Sequence, residues 1–157
     1  VDGYATAIFM MGSDASRWAP KTRETADHSL PYCIAIALLD GEVTSASFAD
    51  ARLRDPAVAE LMRKVKVAED PALSAQYTEG APGRVTIRMK SGESHTAEIR
   101  YPKGHEKSPM TDAEIERKFR DLSAAQLDAG RCDKALAALW QIENTDDVGN
   151  VTALLTK

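Results

Sequence analysis

The chain has 157 residues, 43% of them hydrophobic and 28% charged, the balance of an ordinary soluble globular domain, and this length can bury roughly two thirds of its unfolded surface without disulfides or metals. Its 20 Lys and Arg against 24 Asp and Glu leave a net charge of -4, and no Lys/Arg run concentrates positive charge, which argues against nucleic acid as the main partner because phosphate binding wants a dense basic face. Cys33 and Cys132 lie far apart with no CxxC or Cys/His ligand spacing, so no zinc site is supported, and no apolar stretch approaches the ~18 to 20 residues of a bilayer span. The expectation is one α+β domain over residues 1–157 in a reducing cytoplasm, with no membrane partner.

In chain order, residues 1–3 read as the end of a preceding element. Residues 4–11 read as a short helix with Tyr4, Ile8 and Met11 on one face. Gly12-Ser13-Asp14 breaks it, and residues 13–21 form a polar link in which Trp18 anchors the loop against the core, the lesser alternative being contact with a ligand.

Residues 22–41, TRETADHSLPYCIAIALLDG, are the organising stretch. Thr22, Thr25 and Asp27 are all suited to start a helix, and Pro31 fits its first turn. Tyr32 through Leu39 are apolar on every side, which predicts an enclosed helix, and Gly41 ends it in the left-handed conformation. Cys33 within it is expected to be a small buried hydrophobe. His28 and Ser29, flanked by Glu24 and Asp27, stand at the mouth of this helix, where N–H groups and the dipole suit a carboxylate or phosphate. The structural alternative is that Asp27 or Ser29 caps and His28 satisfies a buried hydrogen bond.

Farther on, Thr44 or Ser45 caps a short helix. Asp55-Pro56 opens another, with Val58, Leu61, Met62 and Val65 on one stripe. Residues 65–67 alternate like a strand. A hairpin over about 84–101 follows, with Val85, Ile87 and Met89 matched by Ala97, Ile99 and Tyr101 on one dry side and His95 toward solvent. Residues 102–109 carry Lys103, Gly104 and His105. Gly104 permits close approach of backbone to a partner, and the tip presents positive charge to a carboxylate-rich substrate; the alternative is a solvated surface loop. Thr111 to Glu114 is a capping box whose helix packs Ile115, Phe119 and Leu122. Gly130 separates it from a helix over residues 131–142 with Leu139, Trp140 and Ile142 inward, and Thr145-Asp146 caps a last short helix.

Three of these stretches carry a resemblance. TRETADHSLPY with the following apolar run and LLDG is similar to a segment of the MmgE/PrpD family. So are Tyr101-Pro102-Lys103-Gly104-His105 with Lys107 and Pro109-Met110-Thr111-Asp112, and the ending through Leu139-Trp140, Asp147-Val148 and Leu154-Leu155. The resemblance runs from about Ser16 to the C-terminus. It implies a small antiparallel sheet packed with several helices, as in the C-terminal domain of such proteins, whose larger, all-helical N-terminal domain holds most catalytic residues. Val1 has no preceding Met, which fits Met removal, trimming, or a start partway along a longer chain.

The resemblance also implies a metal-free dehydration of a tricarboxylic acid of the 2-methylcitrate type, with no cofactor. Removing a proton beside a carboxylate and expelling hydroxide as water demands an acid, a base and neutralising charge. His28 and His105 are the candidate catalytic groups, and Ser29, Lys103 and Gly104 the candidate substrate-binding ones. The expected partners are a small carboxylic acid, the helical N-terminal domain of the same enzyme, and a second copy in a homodimer. A non-catalytic interaction domain, or a decarboxylase or epimerase sharing the proton-transfer step, are the alternatives.

Overall fold

A computed structural model describes residues 1–156. The chain separates into two compact units, Val1–Pro102 and the part from Lys103 onward, and its helices with a small sheet make it α+β.

The first unit opens with β1 (Asp2–Gly3), α1 (Ala5–Gly12), α2 (Ala15–Trp18), α3 (Arg23–Asp27) and α4 (Leu30–Asp40). A 3-10 turn over Ser45–Phe48, α5 (Asp50–Leu53), α6 (Pro56–Met62), β2 (Ala68–Glu69) and α7 (Pro71–Ser74) follow, then β3 (Gly83–Arg88) and β4 (Ser94–Ile99). The strands run in the order β2-β1-β3-β4, with β1 parallel to β2 and antiparallel to β3. Residues 1–3, expected as a trailing end, thus occupy the interior of the sheet, while the polar link holds a helical turn capped by Asp14. Trp18 does not bury. It is 37% exposed and anchors the link through its indole N–H, which donates to Gly12 O at 2.8 Å.

The organising stretch is two helices, not one. Thr22 caps α3 in a capping box with Thr25, and the chain breaks at His28. A continuous helix would need a donor that Pro31 lacks and would drive its ring into the preceding turn. Ser29 therefore starts α4 afresh, its Oγ accepting from Tyr32 N–H at 3.1 Å. The expected enclosure holds only for part of α4: Pro31, Tyr32, Ala35 and Ile36 are buried, while Leu38 and Leu39 emerge in the last turn. Cys33 is half-buried, and burial pushes its thiol pKa up.

The core of this unit gathers Ala26, Tyr32, Ala35, Ile36, Val58 and Met62, edged by Phe48, Leu53 and Leu61. The Val58/Met62 stripe of α6 enters as its spacing and Asp55 cap require. Tyr32 reaches through the core to donate its hydroxyl to Ser47 O at 2.6 Å.

The strand expected at residues 65–67 forms instead at β2, because only Ala68 and Glu69 find partners in the two-residue β1. The hairpin is present in the expected place, with Val85 opposite Ala97 and Ile87 opposite His95. That register puts His95 on the apolar side of the ribbon, not among its polar positions. The side itself is not dry: β3 is half-covered, whereas all of β4 is exposed, Ile99 by 56%. Arg84 ties the sheet together through Asp70 at 2.7 Å and Glu98 at 2.8 Å.

The second unit comprises α8 (Asp112–Ser123), α9 (Ala129–Leu139), a 3-10 turn over Ile142–Asn144, and α10 (Val148–Leu155). The Thr111/Glu114 capping box is formed. Gly130 lies inside the first turn of α9, whose cap is Asp128, and α10 is capped by Asp147 rather than Thr145 or Asp146. Leu127, Cys132 and Leu136 make the core with Phe119 against them. Trp140 and Ile142 lie past the end of α9 and are exposed, the indole N–H donating to Glu116 at 3.0 Å.

Ile36→Ala should destabilise the first unit by about 2–5 kcal/mol through the cavity it leaves. Tyr32→Phe should cost ~1–3 kcal/mol by stranding the buried Ser47 carbonyl. Leu122→Ala, at a 58% exposed position, should stay within about 0.5 kcal/mol. Urea unfolding of the three variants checks the ranking.

Candidate functional site

Two clusters hold the candidate residues, one in each unit. In the first, His28 closes α3 as its C-cap residue. Its Nδ1 lies 2.5 Å from Asp27 Oδ1 and 3.2 Å from Glu24 O. A carboxylate and a carbonyl can only accept, so Nδ1 carries the hydrogen and donates, and in the neutral ring the lone pair belongs to Nε2. That is the form of a general base steadied by a carboxylate. The side chain is 57% exposed.

Ser29, beside it, is enclosed. Its hydroxyl donates to Arg17 O while accepting from Tyr32 N–H, so it fixes the start of α4 and holds the α2 link against it. Of the two neighbours, Ser29 is the cap, and His28 is left at the surface.

In the second unit, Lys103, Gly104 and His105 form a knit turn. Gly104 takes φ +96°, a conformation that costs a residue with a Cβ ~1 kcal/mol or more. Its N–H donates to Ser108 O at 2.8 Å, and Ser108 N–H returns to His105 O at 2.8 Å. Lys107 N–H donates to His105 Nδ1 at 3.1 Å. A backbone N–H can only donate, so Nδ1 of this ring accepts and the hydrogen of the neutral ring sits on Nε2, the reverse of His28.

Lys103 Nζ rests 2.9 Å from Glu114 Oε2, the same oxygen that accepts from Thr111 N–H at 2.8 Å and Thr111 Oγ1 at 3.0 Å. The Thr111 N–H, then the Lys103 ammonium and the Thr111 hydroxyl, pull the Glu114 carboxyl down to about 2. The tip is thereby tethered to the first turn of α8. Two participants escaped sequence reasoning. Asp27 was weighed only as a cap, although its adjacency to His28 was visible, and Glu114 was read only as a capping-box residue.

Glu114 titrates below its ordinary 4.5, so its contribution to stability is complete above ~pH 4.5 and is lost as pH falls toward about 2. Carboxyl-carbon NMR should find it titrating near 2, Lys103→Met should move it upward, and Glu114→Gln should remove that share of the acid sensitivity.

A family model described as the MmgE/PrpD C-terminal domain matches residues 1–142. Among curated relatives, the mouse (Mus musculus) cis-aconitate decarboxylase is 27% identical over 140 residues, 87% of this chain and 28% of its own length. The mitochondrial 2-methylcitrate dehydratase of Yarrowia lipolytica is 31% identical over 130 residues, covering 76% and 24%. The 2-methylcitrate dehydratase of Escherichia coli is 31% identical over 84 residues, covering 50% and 17%. The matches thus span less than a third of the length of these relatives. With the family model lying across both units, the chain belongs to the MmgE/PrpD family and corresponds to its C-terminal domain.

Proposed function

We propose that residues 1–157 are the C-terminal portion of a lyase that dehydrates a tricarboxylic acid of the 2-methylcitrate type. On this reading the portion is inactive alone and works beside a helical N-terminal domain, in a cytoplasmic homodimer. The observation that carries it is the opposite hydrogen arrangement of the two imidazoles. His28, with its lone pair on Nε2, takes the proton from the carbon beside a carboxylate. His105, with its hydrogen on Nε2, donates a hydrogen bond to the departing hydroxyl as the carbon–oxygen bond breaks, and the proton collected by His28 passes to it, so that water leaves. Lys103 offers positive charge to the substrate carboxylates, Gly104 provides the tight turn that lets them approach, and Ser29 positions His28 by fixing the helix behind it. The names and coverage of the dehydratase relatives support the reaction class.

A second reading has its own support. The mouse decarboxylase matches 87% of the chain, more than either dehydratase. Loss of carbon dioxide from cis-aconitate needs a proton delivered to carbon, and His105, once it has taken a proton from solvent and become imidazolium, would supply it without His28 and return to the neutral ring.

The full-length protein should turn over 2-methylcitrate, and the 157-residue chain should not until the helical domain is added in trans. His28→Ala and His105→Ala in the full-length protein should each lower kcat by ~10²–10⁴. Full activity in the double variant would remove both from the chemistry. Turnover of cis-aconitate with release of carbon dioxide, lost in His105→Ala but kept in His28→Ala, would select the second reading.

A further inference from the structure

The first unit has a cavity of about 570 Å³ whose apolar lining includes Ile34, Leu38, Leu61 and Val65. Val1 and Asp2, Lys64 to Lys66, and Val85 to Arg88 complete its lining. β1 pairs with β3 only at Asp2 opposite Arg84 and Gly3 opposite Gly83, whereas β3 runs on to Arg88. Met89 N–H donates to Glu93 O at 2.8 Å, so the odd-numbered residues of β3 turn their backbone groups toward β4. By alternation, the N–H and C=O of Thr86 and Arg88 point the other way, into the slot. Across from them, Val1 already makes ladder contacts: its nitrogen donates to Lys66 O at 2.6 Å, and its carbonyl accepts from Ala68 N–H at 3.0 Å.

We infer that this slot is the seat of the residues that immediately precede Val1 in the full-length protein, which continue β1 as an extended strand along the open edge of β3. The inference rests on the reading above, that the chain is the C-terminal portion of a longer one, and the matched relatives supply the length, since it covers 28% or less of each compared above. The register fixes the details. The residue just before Val1 falls opposite Thr86, the second before it opposite Ile87, and the third opposite Arg88. Opposed residues of an antiparallel pair share a face, and Ile87 is half-buried while Thr86 and Arg88 are exposed. The second preceding residue is therefore apolar and covers Ile34, Leu38 and Leu61, with its two neighbours toward solvent. A second copy fits less well, because the free edge is only these two residues and Lys64 to Lys66 line the same cavity.

Amide exchange by NMR tests this on the 157-residue chain and on the same chain lengthened by six of its natural preceding residues. Thr86 and Arg88 should exchange about tenfold or more slowly in the longer chain, with Val85, Ile87 and Met89 unchanged. Thr86→Pro in the longer chain, which leaves the β4 ladder intact, should return Arg88 to its fast rate. Equal rates in the two chains, or a charged second preceding residue, would overturn the inference. So would protection of the 157-residue chain that grows with its concentration, which assigns the slot to a second copy. Turnover by the full-length protein is read separately. An active enzyme with unprotected Thr86 and Arg88 overturns the slot alone, and a protected but inactive one overturns the proposed reaction alone.

Discussion

The buried hydroxyl of Ser29 is the interaction on which the first unit depends. By donating to Arg17 O and accepting from Tyr32 N–H, it sets where α4 begins, and that phase decides which side chains turn inward. Tyr32 and Ile36 then fill the core, and the Tyr32 hydroxyl finds the Ser47 carbonyl, satisfying a polar pair that would otherwise be costly to enclose. The same phase expels His28. A helix that ran unbroken from Thr22 would have carried His28 within its turns; the restart at Ser29 leaves it at the end of α3, against Asp27 and in contact with water.

What was legible in the sequence is what depends on near neighbours. Asp55-Pro56 and Thr111 through Glu114 announce helix starts because a cap is completed within three residues. The hairpin is legible for the same reason. The placement of β1 and β2 was not, since strands of two residues carry no periodicity and exist only through partners more than sixty positions away. Nor was exposure: the alternation of β3 and β4 marks an apolar side but not whether anything covers it. Arg84 looked like one more charge in a strand, and only the fold brings Asp70 and Glu98 to it.

The candidate site divides along the same line. Histidine at a helix mouth and a Lys–Gly–His tip are readable as types, and their numbers were. The hydrogen on each ring was not, because it follows from which acceptors and donors the backbone brings to Nδ1. Lys103 shows a related limit. Its ammonium is already held by Glu114, and Glu114 is held by Thr111. An ammonium has three donors, so the pair with Glu114 does not use up its capacity. The tether costs Lys103 reach and gives it a fixed place.

Both imidazoles owe their hydrogen arrangement to close neighbours. Glu24 and Asp27 lie within four residues of His28, and Lys107 within two of His105. Local devices of this kind survive changes in how larger parts of a protein are arranged, because the chain itself keeps the partners near.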